Sequence, residues 1–330
     1  MMKTTVPSPR RPWLTHRLIT ILVLTALCAA VTLPAPVWGA KRIALVYIDQ
    51  DPSTQRTVKG VMKAFDRSGV QVTYQESLLR GHEQTDAATL DTLRAFNPDL
   101  FITIGSYATL TISEVFPAKP IIFATVMNPK ASGFVASMNR PGGSITGAAL
   151  DIPCNIQFQY FQRVVGTIRK MGVIYSAETE HIIDEAGPAA AACGIRLVPI
   201  RIQSEKDIPQ AIDSLCKVSD VLWSVADHTV YTPQSTRHII LQTLRNRIPM
   251  MAFSQALVEA GGLFTLDFDF KDIGRQAGEI AVRVLRGTPP GEIPVSTPGV
   301  IYFKYNEKTA DQLSLQIPED LLAVAKEVVK

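Results

Sequence analysis

The sequence lacks the short motifs that carry common enzymatic and nucleotide-binding chemistry. It has no GxGxxG fingerprint after a strand, no GxxxxGK(S/T) phosphate loop and no GxSxG nucleophile elbow. The glycine-rich segment 142–147 has the spacing of none of them, which predicts an ordinary turn. After the first forty residues only four histidines remain, far apart in the chain, so the sequence has no ligand cluster of the zinc type. These absences predict a protein without a catalytic constellation, a metal or a cofactor.

Cysteine is scarce as well. Cys154, Cys193 and Cys216 follow the N-terminal segment, are widely spaced and form no CxxC pair. An odd, scattered set allows at most one disulfide bond and is not the framework of a disulfide-rich domain. The pattern favours buried thiols that behave as small apolar side chains, and it leaves open whether any two are bridged.

Charge of one sign is concentrated at the N-terminus. The formal net charge is +3, but four basic residues and no acidic one lie in the first forty, which leaves 29 basic against 30 acidic side chains in the remainder. Nothing in a near-neutral remainder indicates the electrostatic footprint of a protein that binds nucleic acid or a membrane surface.

The same N-terminal segment predicts a secretory signal peptide over residues 1–39. A basic stretch is followed by an apolar run over 18–33, two prolines and the small residue Gly39. The run is shorter than the ~20 apolar residues that cross a bilayer, which favours a signal over an uncleaved anchor. Cleavage is expected after Gly39, with Ala30 as an earlier alternative. The remainder is predicted to be periplasmic, without stable membrane insertion.

Short β-branched runs alternate with helical segments along the rest of the chain. The pattern runs to residue 126 and starts again after residue 157. Such alternation is typical of βαβ units, in which helices cover both faces of a parallel sheet. Two blocks in one chain predict an α/β protein with two Rossmann-like lobes. The remaining elements are predicted as a helix after Asp269, a strand at 300–305 and a loop with a terminal helix over 311–330.

The strand ends carry the candidate binding residues. Ligands of open parallel sheets bind outside the carboxyl ends of the strands, and rims of acids, hydroxyls and aromatic rings suit a small organic molecule. The candidates in the first block are Asp49, Gln50, Gly105, Ser106, Tyr107, Thr125, Met127 and Asn128. Those in the second block are Tyr175, Ser176, Asp227, His228, Ser254, Phe268 and Asp269.

Several candidates have an equally simple structural interpretation. Asp49, Asp227 and Asp269 are placed as helix caps would be. Tyr107 suits the core as well as it suits a stacking platform for a ring, and the same holds for Phe268. Ser106 differs, because it opens a predicted helix whose free N–H groups favour an anion such as a carboxylate.

Two segments resemble the signatures of a known family. Residues 120–129 (PIIFATVMNP) and 140–147 (RPGGSITG) form the first signature, and residues 267–276 (DFDFKDIGRQ) form the second. They resemble the ABC transporter substrate-binding family that includes tryptophan- and phenylalanine-binding members. The tail from 293 to 321 resembles the family's ending, so the similarity covers essentially all of the chain after the signal peptide.

The resemblance implies a fold and its division into lobes. The fold is that of type I periplasmic binding proteins, with two Rossmann-like lobes joined by a three-crossover hinge near residues 149, 266 and 297. The lobes are then residues 41–149 plus 266–296 and residues 150–265 plus 297–330. The resemblance also implies a partner, an ABC permease with its cytoplasmic ATPase.

The chain departs from the family's pattern at the strand ends. Met127 and Asn128 stand where the family usually has Thr-Asp, which removes a carboxylate. Tyr107 and Tyr175 add aromatic bulk, whereas Asp227 matches the family and offers a carboxylate to an ammonium group. We therefore expect an amino acid, aromatic or otherwise, or a similar small polar ring compound. A nucleoside, a purine or a sugar is the alternative ligand class.

The predicted function is a periplasmic solute-binding receptor of an ABC importer. The receptor is expected to be a monomer, to capture its ligand by hinge closure and to catalyse nothing. The alternative is a periplasmic sensing module that presents its ligand to a membrane receptor or kinase. Both use the same cleft, so the sequence does not separate them.

Overall fold

The computed structural model describes residues 40–81 and 83–329. The predicted signal peptide at 1–39 lies outside the described residues. The first part of the described chain alternates strands with helices, as predicted. Its elements are β1 Lys41–Tyr47, α1 Pro52–Ser68, β2 Val72–Leu78, α2 Glu83–Phe96, β3 Leu100–Ile104, α3 Ser106–Val115, β4 Ile121–Val126 and β5 Ile145–Ala149.

The pattern then repeats, and a different C-terminal part follows. The repeat consists of α4 Cys154–Val165, β6 Lys170–Tyr175, α5 Glu180–Ala192, β7 Arg196–Arg201, α6 Ile208–Val218, β8 Val221–Trp223, α7 Pro233–Arg245, β9 Met250–Met251, α8 Gln255–Glu259 and β10 Phe264–Phe268. The C-terminal part consists of α9 Phe270–Leu285, β11 Ile301–Asn306, α10 Glu307–Leu313, α11 Glu319–Ala323 and β12 Ala325–Val329. Short 3₁₀ turns lie at Glu205–Asp207 and Pro290–Glu292.

Two separate sheets show the repeat directly. The first has the order β2-β1-β3-β4-β5 and the second has the order β12-β11-β10-β9-β8-β6-β7. From its β7 edge the second sheet runs β7-β6-β8-β9-β10, which is the same order as β2-β1-β3-β4-β5 in the first sheet. All pairs are parallel except β10 with β11. The predicted α/β class with two Rossmann-like lobes is confirmed, and the strand order in each sheet reverses beside its first strand, where such folds bind ligands.

The chain passes between the sheets three times, as a three-crossover hinge requires. It leaves the first sheet after β5, and it leaves the second sheet after β10 to form α9, which packs along α1 and against β4. It then returns as β11, which pairs with β10. Close approach of α9 and α1 depends on Gly274, because a Cβ atom there would lie 1.9 Å from the carbonyl oxygen of Thr57.

The last strand differs from the prediction. Residues 325–329 form β12, which pairs in parallel with β11, where the sequence predicts the end of a terminal helix. Pairing with a distant strand therefore decides the conformation of this segment. The described cysteines, Cys154, Cys193 and Cys216, are free thiols. No helix within residues 40–81 and 83–329 combines the length and hydropathy needed to cross a membrane.

An aromatic cluster in the core of the second lobe includes residues of the strands β8 and β10. Phe158 contacts Trp223 edge to face, with ring centroids 5.1 Å apart. Phe264 contacts Phe161 and stacks on Phe303 with centroids 5.3 and 5.2 Å apart. All five side chains are at most 1% exposed, so β8 and β10 end at fixed positions against this core.

Candidate functional site

The acids that follow β1 bind the first turn of helix α1, and Asp51 is its N-cap. Asp51 accepts the Thr54 N–H at 2.7 Å and precedes Pro52 at the helix start. Asp49 accepts the Thr54 hydroxyl at 2.8 Å. The side-chain amide of Gln50 donates to the hydroxyl of Tyr47 at 3.5 Å, and Gln50 is exposed. These contacts give Asp49 and Gln50 local structural roles.

The loop after β3 is positioned by a glycine. Gly105 precedes α3 with φ of 89°, a backbone conformation that favours glycine, and its N–H donates to the carbonyl of Ala124 at 2.9 Å. Ser106 and Tyr107 are exposed at the start of α3. The Tyr107 hydroxyl donates to Asp86 at 3.3 Å, so the ring stands on the rim of the first lobe and not in its core.

The loop after β4 carries two residues with left-handed backbone. Thr125 has φ of 56° and Asn128 has φ of 47°. Thr125 lies where the register of β4 against β5 shifts, so it is left out of the ladder and bends the chain. The bend leaves Met127 exposed and brings the Asn128 N–H within 2.8 Å of a carboxylate oxygen of Asp151.

Asp227 holds two loops of the second lobe together. Its side chain is 2% exposed, and its carboxylate accepts the N–H of Ser176 at 2.8 Å, the hydroxyl of Thr179 at 2.6 Å and the N–H groups of Thr229 and Val230 at 2.9 and 3.1 Å. Burial opposes its charge, but the hydrogen bonds from Thr179 and Ser176 outweigh burial and hold the pKa of Asp227 below its ordinary value. Its geometry is that of an internal anchor.

The other second-lobe candidates lie at the strand ends in separate local contacts. His228 is exposed and pairs with Glu178 at 2.7 Å, a contact that raises the pKa of the imidazole. Tyr175 is half-buried against the second-lobe core. Ser254 caps α8 by accepting the Leu257 N–H at 3.3 Å.

Asp269 caps α9 and also bonds a tyrosine. It accepts the N–H of Lys271 at 2.8 Å and the hydroxyl of Tyr302 at 2.5 Å. Burial opposes the charge, but these bonds lower the pKa of Asp269, and the same contact raises the pKa of Tyr302 to about 12. The cap thus fixes the start of α9 to β11.

One cavity lies where the lobes join. Its volume is about 220 Å³, and its wall combines the end of β4, the first crossover, the start of α4, part of α5 and the ends of β8, β9 and β10. Three predicted residues line it, namely Met127, Asn128 and Phe268. The other lining residues are Leu150, Asp151, Ile152, Pro153, Cys154, Gln157, Ile182, Glu185, Trp223, Ser224, Val225, Ala226, Met251, Ala252, Phe253, Thr265 and Leu266.

Asp151 gives the cavity its charge. Desolvation, followed by the nearby Glu185, raises the pKa of Asp151 to about 6, although the Asn128 N–H and His181 favour the carboxylate. Burial first, then Glu185 and Asp151, raise the pKa of the Cys154 thiol to about 11. Both shifts point to a poorly solvated, negative environment.

The apolar wall is fixed by a hydrogen bond between two lining residues. The indole N–H of Trp223 donates to the amide oxygen of Gln157 at 2.9 Å, and the Gln157 amide donates to the carbonyl of Ile152 at 2.7 Å. Trp223 is therefore held by β8, α4 and the first crossover together. Phe268 meets Phe270 edge to face, with ring centroids 5.2 Å apart.

The sequence did not point to Asp151, Glu185 or Trp223 as lining residues. Asp151 follows β5, a strand that the sequence did not predict. The available signal is its acidity, because Asp151 is the one acidic residue of the segment 127–156 between the two predicted blocks.

The two lobes repeat one strand order, and a cavity lies where they join. This arrangement is the fold of type I periplasmic binding proteins, which are two-lobed ligand receptors. The model of the ABC transporter substrate binding protein family matches residues 42–329. The chain therefore belongs to this family, which confirms the resemblance of the two signatures. It is a substrate-binding protein and not an enzyme.

Known proteins are similar over most of the chain. The tyrosine-binding protein of Clostridioides difficile (strain R20291) is 26% identical over 284 residues, which cover 84% of this chain and 81% of that protein. The ligand-free, open structure of a substrate binding protein with adhesive properties from Clostridium difficile has a TM-score of 0.71 at 21% identity, covering 88% of this chain and 100% of that one. An ABC domain from Streptococcus pneumonia in complex with L-Trp has a TM-score of 0.56 at 23% identity, with the same coverage of each chain.

Proposed function

We propose that this chain is the solute-binding receptor of an ABC importer and captures a small organic molecule that bears an ammonium group. The observation that carries the proposal is the cavity of about 220 Å³ whose lining combines Asp151 with Trp223 and Phe268. Pockets for drug-sized ligands measure ~300–1,000 Å³. The space therefore suits a molecule built on a single ring system.

Amino acids, aromatic ones first, are the ligand class to test. The relative from Clostridioides difficile is a tyrosine-binding protein. The aromatic and aliphatic wall offers apolar contact to a ring, and Asp151 offers a charge partner to its amino group. Nucleosides, purines and sugars are the alternative class, but they bring no ammonium group to pair with Asp151.

Hinge closure is the proposed mechanism of capture. We take the lobes to be residues 41–149 plus 266–296 and residues 150–265 plus 297–330. The wall draws on both, since Met127 belongs to the first and Trp223 to the second. A ligand that contacts both lobes stabilises the closed form. Rim residues such as Ser106, Tyr107 and Tyr175 then meet the ligand only after closure.

The proposal places the receptor in the periplasm after removal of residues 1–39. There it acts as a monomer that delivers its ligand to a membrane permease driven by a cytoplasmic ATPase. Membership of the substrate-binding family supports this partner. The permease then distinguishes the closed receptor from the open one.

A ligand screen combined with scattering tests the proposal. The purified protein is screened by thermal shift against amino acids, nucleosides, purines and sugars, and small-angle scattering is recorded with and without each hit. We expect a hit that raises Tm, reduces the radius of gyration and binds more weakly to Phe268→Ala. Tyr74→Ala, an exposed aromatic on β2 outside the cavity, is the matched control. A screen without hits, or hits without compaction, contradicts the proposal.

A further inference from the structure

We infer that Ser224 and Tyr231 form a hydrogen-bonding subsite of the cavity, and that this subsite binds a hydroxyl group on the ring of the ligand. The inference rests on the proposed function and narrows its ligand class to aromatic amino acids that carry a ring hydroxyl. Its basis is one juxtaposition: a hydroxyl of the cavity wall whose present bond is redundant lies near a buried tyrosine hydroxyl that has no bond.

The hydroxyl of Tyr231 is an unsatisfied polar group in the second lobe. It is wholly buried and has no hydrogen-bond partner within residues 40–81 and 83–329. Burial is the largest cause that raises the pKa of this hydroxyl, the nearby Ser224 opposes the shift, and Asp227 adds to it. Buried hydroxyls in native proteins nearly always have a partner, because an orphaned one destabilises the fold. The orphan therefore indicates a partner that another state of the protein supplies.

Tyr231 lies one layer behind the cavity wall. Its N–H donates to the carbonyl of Asp227 at 2.9 Å, and its ring meets Phe253 edge to face, with ring centroids 5.1 Å apart. Phe253 lines the cavity, whereas Tyr231 does not. Tyr231 therefore acts on a ligand through a residue of the wall. Ser224 is that residue, because it lines the cavity and is close enough to lower the pKa of Tyr231.

Ser224 is able to give up its present bond without leaving an unsatisfied group. Its hydroxyl donates to the carbonyl of Met251 at 2.8 Å, and its N–H donates to the same carbonyl at 3.1 Å. The carbonyl therefore keeps a donor when the hydroxyl turns away. A serine hydroxyl has one donor and two acceptor positions. Ser224 then accepts from Tyr231 and donates to a ligand oxygen at the same time, which satisfies the orphan.

A ring hydroxyl is the ligand group that this arrangement fits. A phenolic hydroxyl both accepts and donates, so its oxygen accepts from Ser224 and its O–H donates to the position on the Met251 carbonyl that Ser224 has left. The group is neutral, so the wall takes it without the cost of burying a charge. Ser224 directly follows Trp223 of the aromatic wall, whereas Asp151 lies on the first crossover. The ring of the ligand, and not its ammonium group, therefore meets Ser224.

Isothermal titration with ligand pairs that differ by one ring hydroxyl tests the inference. The pairs are L-tyrosine with L-phenylalanine and 5-hydroxy-L-tryptophan with L-tryptophan, and the pair whose ring fits the cavity decides. We expect the hydroxylated member to bind about 5- to 30-fold more tightly than its partner. Ser224→Ala and Tyr231→Phe are each expected to bring this ratio to about one, and the double variant is expected to add nothing further.

Two measurements distinguish a positioning role of Tyr231 from a merely structural one. Tyr231→Phe removes an unsatisfied hydroxyl, so the Tm of the ligand-free protein is expected to stay unchanged or to rise by up to about 4 °C. Affinity for the unhydroxylated ligands is expected to stay within about twofold, since they leave Ser224 bonded to Met251. Tyr305→Phe is the matched control and is expected to leave the ratio unchanged, because Tyr305 is a tyrosine of the second-lobe core, 7% exposed and outside the lining.

The outcomes separate the inference from the proposed function. Equal binding within both pairs overturns the inference and leaves the proposed function standing, as does binding confined to sugars or nucleosides. A preference for the ring hydroxyl that survives Ser224→Ala and Tyr231→Phe overturns the inference as well, and so does a Tyr231→Phe variant with a lower Tm and an unchanged ratio. Failure of every ligand in the wider screen, together with unchanged scattering, overturns the proposed function itself.

Discussion

Replacing Asp227 with alanine is expected to destabilise the ligand-free protein and to leave the affinity of the folded molecules intact. The sequence favours the opposite result, because Asp227 follows β8 at the edge where ligands bind. In the structure this carboxylate is 2% exposed and lies outside the cavity lining. The variant therefore distinguishes a ligand contact from an internal anchor.

The size of the effect follows from the four hydrogen bonds that the carboxylate accepts. The donors at Ser176, Thr179 and Val230 are buried, and a buried donor that loses its partner costs about 1–3 kcal/mol. Three such donors, each in the lower half of that range, reduce the free energy of unfolding by about 3–5 kcal/mol. At about 2 °C for each kcal/mol in a chain of this length, Tm falls by about 6–10 °C.

Thermal unfolding of the ligand-free protein and titration of a confirmed ligand measure the two quantities. His228→Ala is the control from the same loop. Its imidazole is 94% exposed in its pair with Glu178, so no measurable loss of Tm is expected. A variant Asp227→Ala with unchanged Tm and much weaker binding would refute the reasoning and make Asp227 a ligand contact.

Two further predictions concern packing and pH. Gly274→Ala places a Cβ 1.9 Å from the Thr57 carbonyl oxygen and is expected to reduce stability to denaturant by about 1–3 kcal/mol. Lys271→Ala, at an exposed position in the first turn of the same helix, is the control and is expected to change stability by at most about 0.5 kcal/mol. Equal effects of the two substitutions would contradict the α1–α9 packing. The folded pKa of Asp151 is raised to about 6, so the native state binds the proton more tightly, and ligand-free stability is expected to fall by about 3 kcal/mol as pH rises from about 4 to above 6. Affinity for a permanently cationic probe is expected to rise over the same pH range, because Asp151 becomes charged. Asp151→Asn is expected to remove the pH dependence of both the stability and the affinity. If the variant and the parent show the same pH dependence, Asp151 is not the group responsible.

The repeat of the fold is predictable because its signals are local. Buried parallel strands appear as short apolar runs, and the helices between them show apolar residues at helical spacing. β12 is different, since its extended conformation depends on pairing with β11. β5 is hard to predict for a similar reason. Only the first two residues of its sequence ITGAA are β-branched, and the glycine and alanines that follow favour strands poorly. The segment becomes a strand by pairing with β4, where Gly147 lies against Phe123.

The missed strand explains much of what the sequence failed to predict about the site. The candidate residues lie at the ends of the strands that the sequence predicts, and Asp151 follows β5, which it does not predict. Asp227 is the opposite case, a predicted ligand contact that lies outside the cavity lining. From the sequence alone, an acid after a strand is equally suited to capping a helix, to anchoring a loop and to binding a ligand. Only the positions of Ser176 and Thr179, about fifty residues earlier in the chain, distinguish these roles.

The position of Asp151 also bears on how binding and closure are coupled under the proposed function. Asp151 lies on the first crossover and is bonded to the backbone of Asn128 in the first lobe, while Phe268 ends β10 just before the chain crosses back. A ligand that contacts both residues acts on two of the three segments whose backbone angles change when the lobes rotate. The free energy gained by neutralising Asp151 is then available to the closed form, provided that the ammonium group fits that form better than the open one. Charge recognition at a crossover, and not at a rim, therefore makes closure sensitive to the charge of the ligand as well as to its shape.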